Sequence, residues 1–228
     1  MDPSAFPLFF VLFALVAIGV ALYSHYAKLQ RQRELGSIAV GQGLDFSVTD
    51  PFDTLGEPFS LFERGDGRGV ENVMWGRWHG SEVRAFDYWY YDESTDSNGN
   101  RSKTYRRFDC VLTTVDARCP RLTIEPENVL TRLADALSFH DIDFESDGFN
   151  RRFNVKASDR RFATAFCDAR MIEWLMEHGG GYSFEVVSDR MLIWCGRVDP
   201  AGFVHVLGTA STFRQHVPAV VSSLYPKG

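Results

Sequence analysis

The sequence predicts an α+β protein with a single N-terminal transmembrane helix, followed by a globular domain of antiparallel sheet with packed helices. Three observations support this fold class. Residues 5–23 contain no charged side chain. Residues 70–124 hold alternating runs rich in valine, tyrosine and tryptophan, which are typical of strands. The second half adds short apolar runs at helical spacing, each preceded by a capping residue.

The apolar N-terminal segment is long enough for one membrane crossing. Twelve of the nineteen residues from Ala5 to Tyr23 are Leu, Ile, Val or Phe, which together favour insertion by about 4 to 7 kcal/mol. As a helix the segment rises about 28 Å, close to the hydrocarbon thickness of a bilayer. Tyr23 and Tyr26 lie where an aromatic belt is expected. We therefore predict a transmembrane anchor over residues 5–26, with the lipid bilayer as its partner.

The charges beside the anchor predict its orientation. Lys28, Arg31 and Arg33 follow it, whereas no basic side chain precedes it. The positive-inside rule then gives a single-pass protein of the cell membrane with a cytoplasmic domain. The alternative is a cleaved secretory signal, for which residues 19–21 (Gly-Val-Ala) resemble a cleavage site, although the run is long and its start is not basic.

Charge and cysteine usage limit the function classes. The chain carries a net charge of −6, and the part after residue 44 holds 21 basic against 28 acidic side chains. Such a surface repels phosphate backbones and anionic lipid, so we predict neither a nucleic-acid partner nor a second, peripheral membrane contact. The cysteines lack metal-site spacing and are predicted to be reduced in the cytoplasm; they are Cys110, Cys119, Cys167 and Cys195.

Domain boundaries follow from composition. Residues 27–58 are predicted to be a juxtamembrane linker, because glycines and prolines interrupt residues 36–58 without sustained periodicity. Residues 59–228 are predicted to form the globular domain, with two possible subdomains at 59–138 and 139–228.

The first half of the domain is predicted to consist mainly of strands. Residues 70–78, 82–91, 103–115 and 122–124 are predicted strands, and the polar segment 92–102 is predicted to turn an antiparallel hairpin. An amphipathic helix is predicted over residues 127–137.

The second half is predicted to alternate strands and helices. Short strands are expected at residues 141–145 and 152–157, and helices after Asp159 and Asp168. We further predict a hairpin of residues 182–187 and 190–196, an edge strand at 203–207, and a terminal helix over 211–224 that Pro218 interrupts.

Part of the second half resembles a bacterial family of membrane-associated domains of unknown function. The resemblance rests on the strand motif at residues 144–155 (Phe-Glu-Ser-Asp-Gly-Phe-Asn-Arg-Arg-Phe-Asn-Val) and on Asp159, Ala163 and Ala165. It also rests on residues 168–171 (Asp-Ala-Arg-Met) and on the predicted hairpin with residues 192–194 (Leu-Ile-Trp). It covers about residues 139–197 and, more loosely, 59–115. The resemblance implies a membrane-anchored α+β domain and no known catalysis.

The sequence gives only weak evidence for a metal-binding or phosphate-binding site. Asp141, Asp143, Glu145 and Asp147 share one face of a predicted strand, but a calcium loop starting at Asp143 lacks the glutamate needed at its twelfth position. The glycine-rich residues 65–69 lack the features of a phosphate loop and are predicted to form a turn.

Catalytic motifs are equally weak. No G-x-S-x-G or H-E-x-x-H motif occurs, although a Cys/His pair such as Cys195 and His205 could meet across adjacent strands. We predict no catalytic, cofactor-binding or metal residues and no cofactor.

The best candidate for a protein contact is the aromatic run at residues 86–91, in which Phe86, Tyr88 and Tyr90 occupy one face and Asp87, Trp89 and Tyr91 the other. A protein partner is expected near Tyr88 and Tyr90 unless a second layer covers them. Basic side chains that could meet an acidic partner are Arg106, Arg107, Arg151, Arg152, Arg160 and Arg161.

Two functions stay open from the sequence. The first is a non-catalytic binding or scaffolding module at the membrane, which the anchor and the missing catalytic motifs favour. The second is an envelope-associated enzyme whose carboxylate or Cys/His site is assembled only in space, so that sequence spacing does not reveal it.

Overall fold

The computed structural model describes residues 5–127 and 140–227. The helices in these ranges are α1 (Ala5–Gly41), α2 (Asp147–Asn150), α3 (Arg160–Phe166), α4 (Ala169–His178), α5 (Phe203–His216) and α6 (Ala219–Leu224). The strands are β1 (Asp45–Thr49), β2 (Gly67–Trp78), β3 (Ser81–Thr95), β4 (Arg101–Pro126), β5 (His140–Asp141), β6 (Phe153–Ala157) and β7 (Tyr182–Gly196). An apolar N-terminal helix and an antiparallel sheet with packed helices confirm the predicted α+β class.

The long strand β4 organises the sheet. The strand order is β1-β2-β3-β4-β6-β5, and β7 pairs with β4 along its other edge. The N-terminal part of β4 pairs with β3 and its C-terminal end with β6, so β4 joins strands from both predicted subdomains. The predicted hairpin is confirmed: β3 and β4 pair from Val83↔Thr113 to Thr95↔Arg101.

Side-chain alternation divides the sheet into two apolar layers. One face carries Ala85, Val111 and Ile193 and packs against α3, α4, α5 and the C-terminal part of α1. The opposite face carries Phe86, Tyr88 and Leu192 and packs under a short segment at residues 59–63. We call the first the helix face and the second the strap face.

Much of the segment predicted to be a juxtamembrane linker, residues 27–58, has regular secondary structure. Helix α1 continues to Gly41, the chain turns at Gly43, and β1 pairs with β2 from Asp45↔Trp75 onward. Leu35 and Ala39 of α1 are fully buried on the helix face. The glycines in the sequence indicate a linker, whereas in the structure they form a tight turn between two ordered elements.

Strand β7 is continuous where a hairpin was predicted. Ser188 adopts a left-handed conformation with φ of 53°, and the pairing of β7 with β4 shifts register around Cys119↔Ser188. The polar pair Ser188-Asp189 therefore produces a bulge in a continuous strand.

Two other strand predictions are wrong. Residues 203–207 begin helix α5, because apolar side chains recur at helical spacing; these are Phe203, Val206, Leu207, Ala210 and Phe213. Of residues 141–145, only Asp141 is paired in a strand, and α2 begins at Asp147.

The predicted helix caps are confirmed. The side chain of Asp159 accepts from the N–H groups of Arg161 and Phe162, and that of Asp168 accepts from Met171. Pro218 separates α5 from α6 as expected. The predicted helix at residues 127–137 lies, apart from its first residue, outside the described residues.

Candidate functional site

Arg31 joins the long helix to the sheet. Its guanidinium donates to both oxygens of Asp87, from Nε at 2.8 Å and from Nη2 at 2.7 Å. The same Nη2 donates to Asp109 at 2.8 Å, and Nη1 donates to the carbonyl of Val198 at 2.7 Å. A planar guanidinium suits this fork because it offers several donors in fixed directions. We call Arg31, Asp87 and Asp109 with their partners the charged junction.

Strand pairing places the two carboxylates side by side. Asp87 of β3 and Asp109 of β4 are direct partners in the antiparallel register and both lie on the helix face. Their side chains are 4% and 0% exposed. Two carboxylates so close and so dry repel each other unless cations compensate them. Arg31 is therefore an electrostatic requirement of this face as well as a tether.

Further groups complete the charged junction. Arg197 donates to Asp87 at 2.8 Å, and the backbone N–H of Val198 donates to Asp109 at 2.9 Å. Asn72 also donates to Asp87 at 2.8 Å. Asn72 has a φ of 57° within the β2 bulge, a conformation that a non-glycine residue keeps only where its surroundings enforce it.

The protonation behaviour of the two carboxylates differs. Burial and the charge of Asp87 raise the pKa of Asp109 to about 7, although Arg31 opposes this. Burial would raise the pKa of Asp87 too, but the hydrogen bonds and charge of Arg31 outweigh it, so that this pKa is lowered. Near neutral pH Asp87 is thus the anion of the pair, and Asp109 is the group that takes up a proton first as the pH falls.

The sequence did not reveal the charged junction. Lys28 and Arg31 were interpreted only as flanking charges, yet Lys28 pairs with Glu71 at 2.6 Å and Arg31 is nearly buried. Arg31, Leu35 and Ala39 recur at intervals of four, which places them on one side of a helix. That spacing was the available signal, and it predicts a helix that continues past the membrane.

The predicted contact surface at Tyr88 and Tyr90 is filled by the chain itself. Tyr88 is 1% exposed and Tyr90 is 7% exposed. Phe62 lies over Tyr88 with ring centroids 5.2 Å apart, and the Tyr88 hydroxyl donates to the carbonyl of Leu61 at 2.9 Å. These two rings therefore belong to the core, and residues 59–63 are the second layer that covers Tyr88.

Buried charges hold residues 58–64 in place. Glu185, which is 0% exposed, accepts from the backbone N–H and the hydroxyl of Ser60. Arg121 approaches Glu185 at 3.5 Å and donates to the carbonyl of Pro58, and Arg64 pairs with Glu125 at 2.9 Å. Burial raises the pKa of Glu185 despite these partners. The covering segment is thus a fixed part of the domain.

The opposite side of the same hairpin carries a flat aromatic surface. Trp89 and Tyr91 stack with centroids 6.3 Å apart, and Tyr105 lies 5.3 Å from Tyr91. Each of the first two rings rests on a glycine of β2: a Cβ on Gly69 would lie 2.6 Å from Trp89, and one on Gly67 would lie 2.5 Å from Tyr91. The glycine-rich residues 65–69 therefore make room for rings, a role that the prediction of a simple turn missed.

The acidic run is a solvated surface, as its spacing suggested. Asp143, Glu145 and Asp147 are exposed while Ile142 is buried. Within residues 5–127 and 140–227, no group of three His, Cys, Asp or Glu side chains is placed to hold a metal ion.

Cys195 and His205 face different neighbours. Cys195 is buried with its thiol 4.0 Å from the carbonyl of Asp109, and burial raises its pKa to about 12. His205 is exposed, with its ring beside Tyr182. A protonated, buried thiol without its histidine is a poor nucleophile. All four cysteines are buried and carry free thiols.

The predicted basic side chains are dispersed. Arg152 donates to the carbonyl of Met176 at the end of α4. Arg151, Arg160 and Arg161 are exposed. Arg106 and Arg107 are also exposed, and the strand alternation points them to opposite faces of the hairpin.

The fold resembles one solved bacterial structure, the crystal structure of the mycobacterial trehalose monomycolate transport factor A, TtfA. The TM-score is 0.60 at 15% sequence identity, and the match covers 81% of this chain and 93% of that chain. At this identity the similarity shows the fold alone. No protein-family model and no curated protein matches the chain.

Proposed function

We propose that this chain is a single-pass membrane protein whose α+β domain is a non-catalytic binding or scaffolding module, held by α1 in one orientation relative to the bilayer. The observation that carries the proposal is the contact of Arg31 with Asp87 and Asp109. A flexible tether would need no buried ion cluster. A helix that is continuous from the apolar segment into the core transmits its tilt and rotation to the domain.

The surroundings of the apolar segment support a membrane span. Every residue from Leu15 to Gln30 is exposed, and exposed apolar side chains there include Val16, Ile18, Val20 and Leu22. Burial within this chain begins only near Arg31. A bare apolar helix of this length is costly in water and stable in lipid. The cytoplasmic side remains our proposal for the domain, on the charges that follow the span.

The partner class is proposed from the fold neighbour. The neighbour's name describes a transport factor, and a module held in one orientation relative to the bilayer suits a factor that contacts another membrane protein. We therefore propose an integral membrane protein as the partner, contacted at a fixed height above the bilayer.

The experiment compares the natural chain with a variant that carries a Gly-Ser-Gly insertion after Ala27. The insertion leaves both the span and the charged junction intact but removes the rigid connection between them. Each protein is purified from cross-linked cells, and co-purifying membrane proteins are quantified by mass spectrometry. We expect a membrane partner that is captured by the natural chain and lost from the insertion variant. Equal capture by both, or capture of none, would contradict the proposal.

A further inference from the structure

The β3–β4 hairpin carries a surface that the domain's own core does not use. Strand alternation places Trp89, Tyr91 and Tyr105 on the same side as Asp87 and Asp109, which is the side on which α1 lies. Glu93, Thr95, Arg101, Lys103 and Arg107 share this side by register. We call the β3–β4 hairpin the arm. The arm face consists of the eight residues just named other than Asp87 and Asp109: Trp89, Tyr91, Glu93, Thr95, Arg101, Lys103, Tyr105 and Arg107.

The arm face combines aromatic rings with positive charge. Lys103 lies 4.2 Å from the centroid of Tyr91, and Arg107 lies 5.5 Å from that of Tyr105. Its three basic side chains outnumber its one acidic side chain, Glu93, on a chain whose net charge is −6. Tyrosine and tryptophan prefer the boundary between water and lipid, and lysine and arginine are drawn to anionic headgroups.

Helix α1 and strand β2 run side by side in the same direction. The side chain of Gln42, which directly follows α1, accepts a hydrogen bond from the Trp78 indole in β2 at 3.1 Å. Lys28, fourteen residues before Gln42, pairs with Glu71, which is seven residues before Trp78. Fourteen helical residues span about 21 Å, and seven strand residues span about 23 Å. Because β3 is antiparallel to β2, the hairpin extends toward the end from which α1 leaves the domain.

The aromatic residues of the helix and of the arm face lie at matching heights. From Arg31, Tyr26 is about 8 Å and Tyr23 about 12 Å along the helix. From Asp87, the contact partner of Arg31, Trp89 is about 7 Å and Tyr91 about 13 Å along the strand. The two elements thus bring their aromatic side chains to the same level, where α1 enters the bilayer.

We propose that the arm face binds anionic phospholipid headgroups of the membrane that α1 spans, a proposal that rests on the proposed transmembrane anchor. The polar hairpin tip at residues 92–102 cannot enter hydrocarbon, since its unpaired backbone groups would lose their water. On this proposal the outer part of the hairpin diverges from α1 and lies along the membrane surface. The arm face, which is on the helix side of the sheet, then lies against the headgroups.

The experiment uses the full chain in nanodiscs of zwitterionic lipid, with and without phosphatidylglycerol. A fluorescent probe is attached to Thr95→Cys on the arm face or, as the matched control, to Thr104→Cys on the opposite face of the same arm. The native cysteines are buried, so the added thiol takes the label. Nitroxide-bearing headgroups should quench the probe at position 95 but not at 104, and more strongly with phosphatidylglycerol. Equal quenching at the two positions overturns the proposal.

A charge test separates specific contact from general attraction. Arg107→Gln removes one arm-face charge, whereas Arg106→Gln removes a charge from the opposite face. We expect Arg107→Gln to reduce the ratio of quenched to unquenched label about fivefold, as one surface charge is worth about 1 kcal/mol. An equal effect of both variants overturns the proposal.

The two proposals fail in different ways. If the chain does not incorporate into nanodiscs, the anchor itself is wrong. If the chain incorporates but the probe at position 95 stays unquenched, the anchor stands and the arm-face proposal is overturned. This outcome includes the case in which a protein, and not lipid, covers that position in cells.

Discussion

At the scale of single residues, Arg31 is the position on which the architecture depends most. It is one of three basic residues after the anchor, and its charge alone does not distinguish it from Arg33. In the structure Arg31 compensates two buried carboxylates, whereas Arg33 is exposed. The difference arises from helix phase: two residues along a helix turn the side chain through about 200°.

Replacing Arg31 by methionine should destabilise the domain by about 3 kcal/mol, because Asp87 and Asp109 would stay buried without their shared cation. The measurement is thermal or chemical unfolding of the full chain in nanodiscs. Arg33→Met is the control and should change stability by less than about 0.5 kcal/mol. Similar losses in the two variants would show that the charged junction does not stabilise the domain.

Asp109 should make stability depend on pH in an unusual direction. Its pKa rises from 3.8 to about 7 on folding, so the folded state holds a proton that the unfolded state has released. Stability should therefore fall as pH rises from about 4 to 7, by at most about 1.4 kcal/mol per pH unit, and level off above. Below this window Asp87, whose pKa is lowered, reverses the trend.

Asp109→Asn should flatten the pH dependence between pH 4 and 7, because the amide does not titrate. The check is the unfolding temperature of both proteins across that window. Asp143→Asn, which changes an exposed carboxylate, serves as the control and should keep the natural slope. An unchanged slope in Asp109→Asn would assign the effect to other groups.

At the scale of elements, the glycines of β2 and the rings of β3 form one structural unit. Gly69 pairs with Trp89 and Gly67 with Tyr91 in the antiparallel register. The missing side chains let the rings lie against the sheet, so that the arm presents a flat surface. Sequence reasoning treated the glycines as breakers and the rings as a separate run, since only strand pairing relates them.

Gly69→Ala should disturb this unit, because the new Cβ would lie 2.6 Å from the Trp89 ring. We expect a loss of about 1 to 3 kcal/mol, together with a changed near-ultraviolet circular dichroism signal from the displaced ring. Gly196→Ala, where a Cβ meets nothing within 4 Å, is the control. Equal effects in the two variants would exclude the ring contact as the cause.

At the scale of the whole molecule, the long helix and the sheet form one body, and this sets how the chain sits at a membrane. The exposed part of α1 lies N-terminal to Arg31, and the β3–β4 hairpin begins beside the buried part of α1, where Arg31 contacts Asp87. Domain orientation is therefore fixed by the helix once the side of the membrane is known.

A thiol at the hairpin tip tests that side. Asn98→Cys lies in the exposed turn between β3 and β4. With a cytoplasmic domain, the variant in intact cells should resist a membrane-impermeant thiol reagent and react after permeabilisation. The natural chain, whose cysteines are buried, provides the unlabelled control. Labelling of intact cells would place the domain outside.

Features that depend on neighbouring residues could be predicted from the amino-acid sequence. The uncharged segment 5–23 predicts a membrane-spanning helix. Alternating runs of apolar and polar residues predict β2, β3 and much of β4, and Asp159 and Asp168 predict the starts of two helices. These rules act over a few residues, so a single sequence contains them. Where local signals were ambiguous, at Ser188 and at residues 203–207, pairing with β4 and burial of a helical stripe decided the outcome.

The candidate sites depend on contacts between residues that are far apart in the chain. Arg31 meets Asp87 and Asp109 across separations of 56 and 78 residues, and residues 59–63, rather than a partner, cover Tyr88. Either face of the aromatic run satisfied the sequence pattern, because alternation defines two faces without saying which one is buried. Which face is buried depends on the distant segments that pack against the sheet. The apolar area that these segments bury and the buried charges that they compensate decide the outcome.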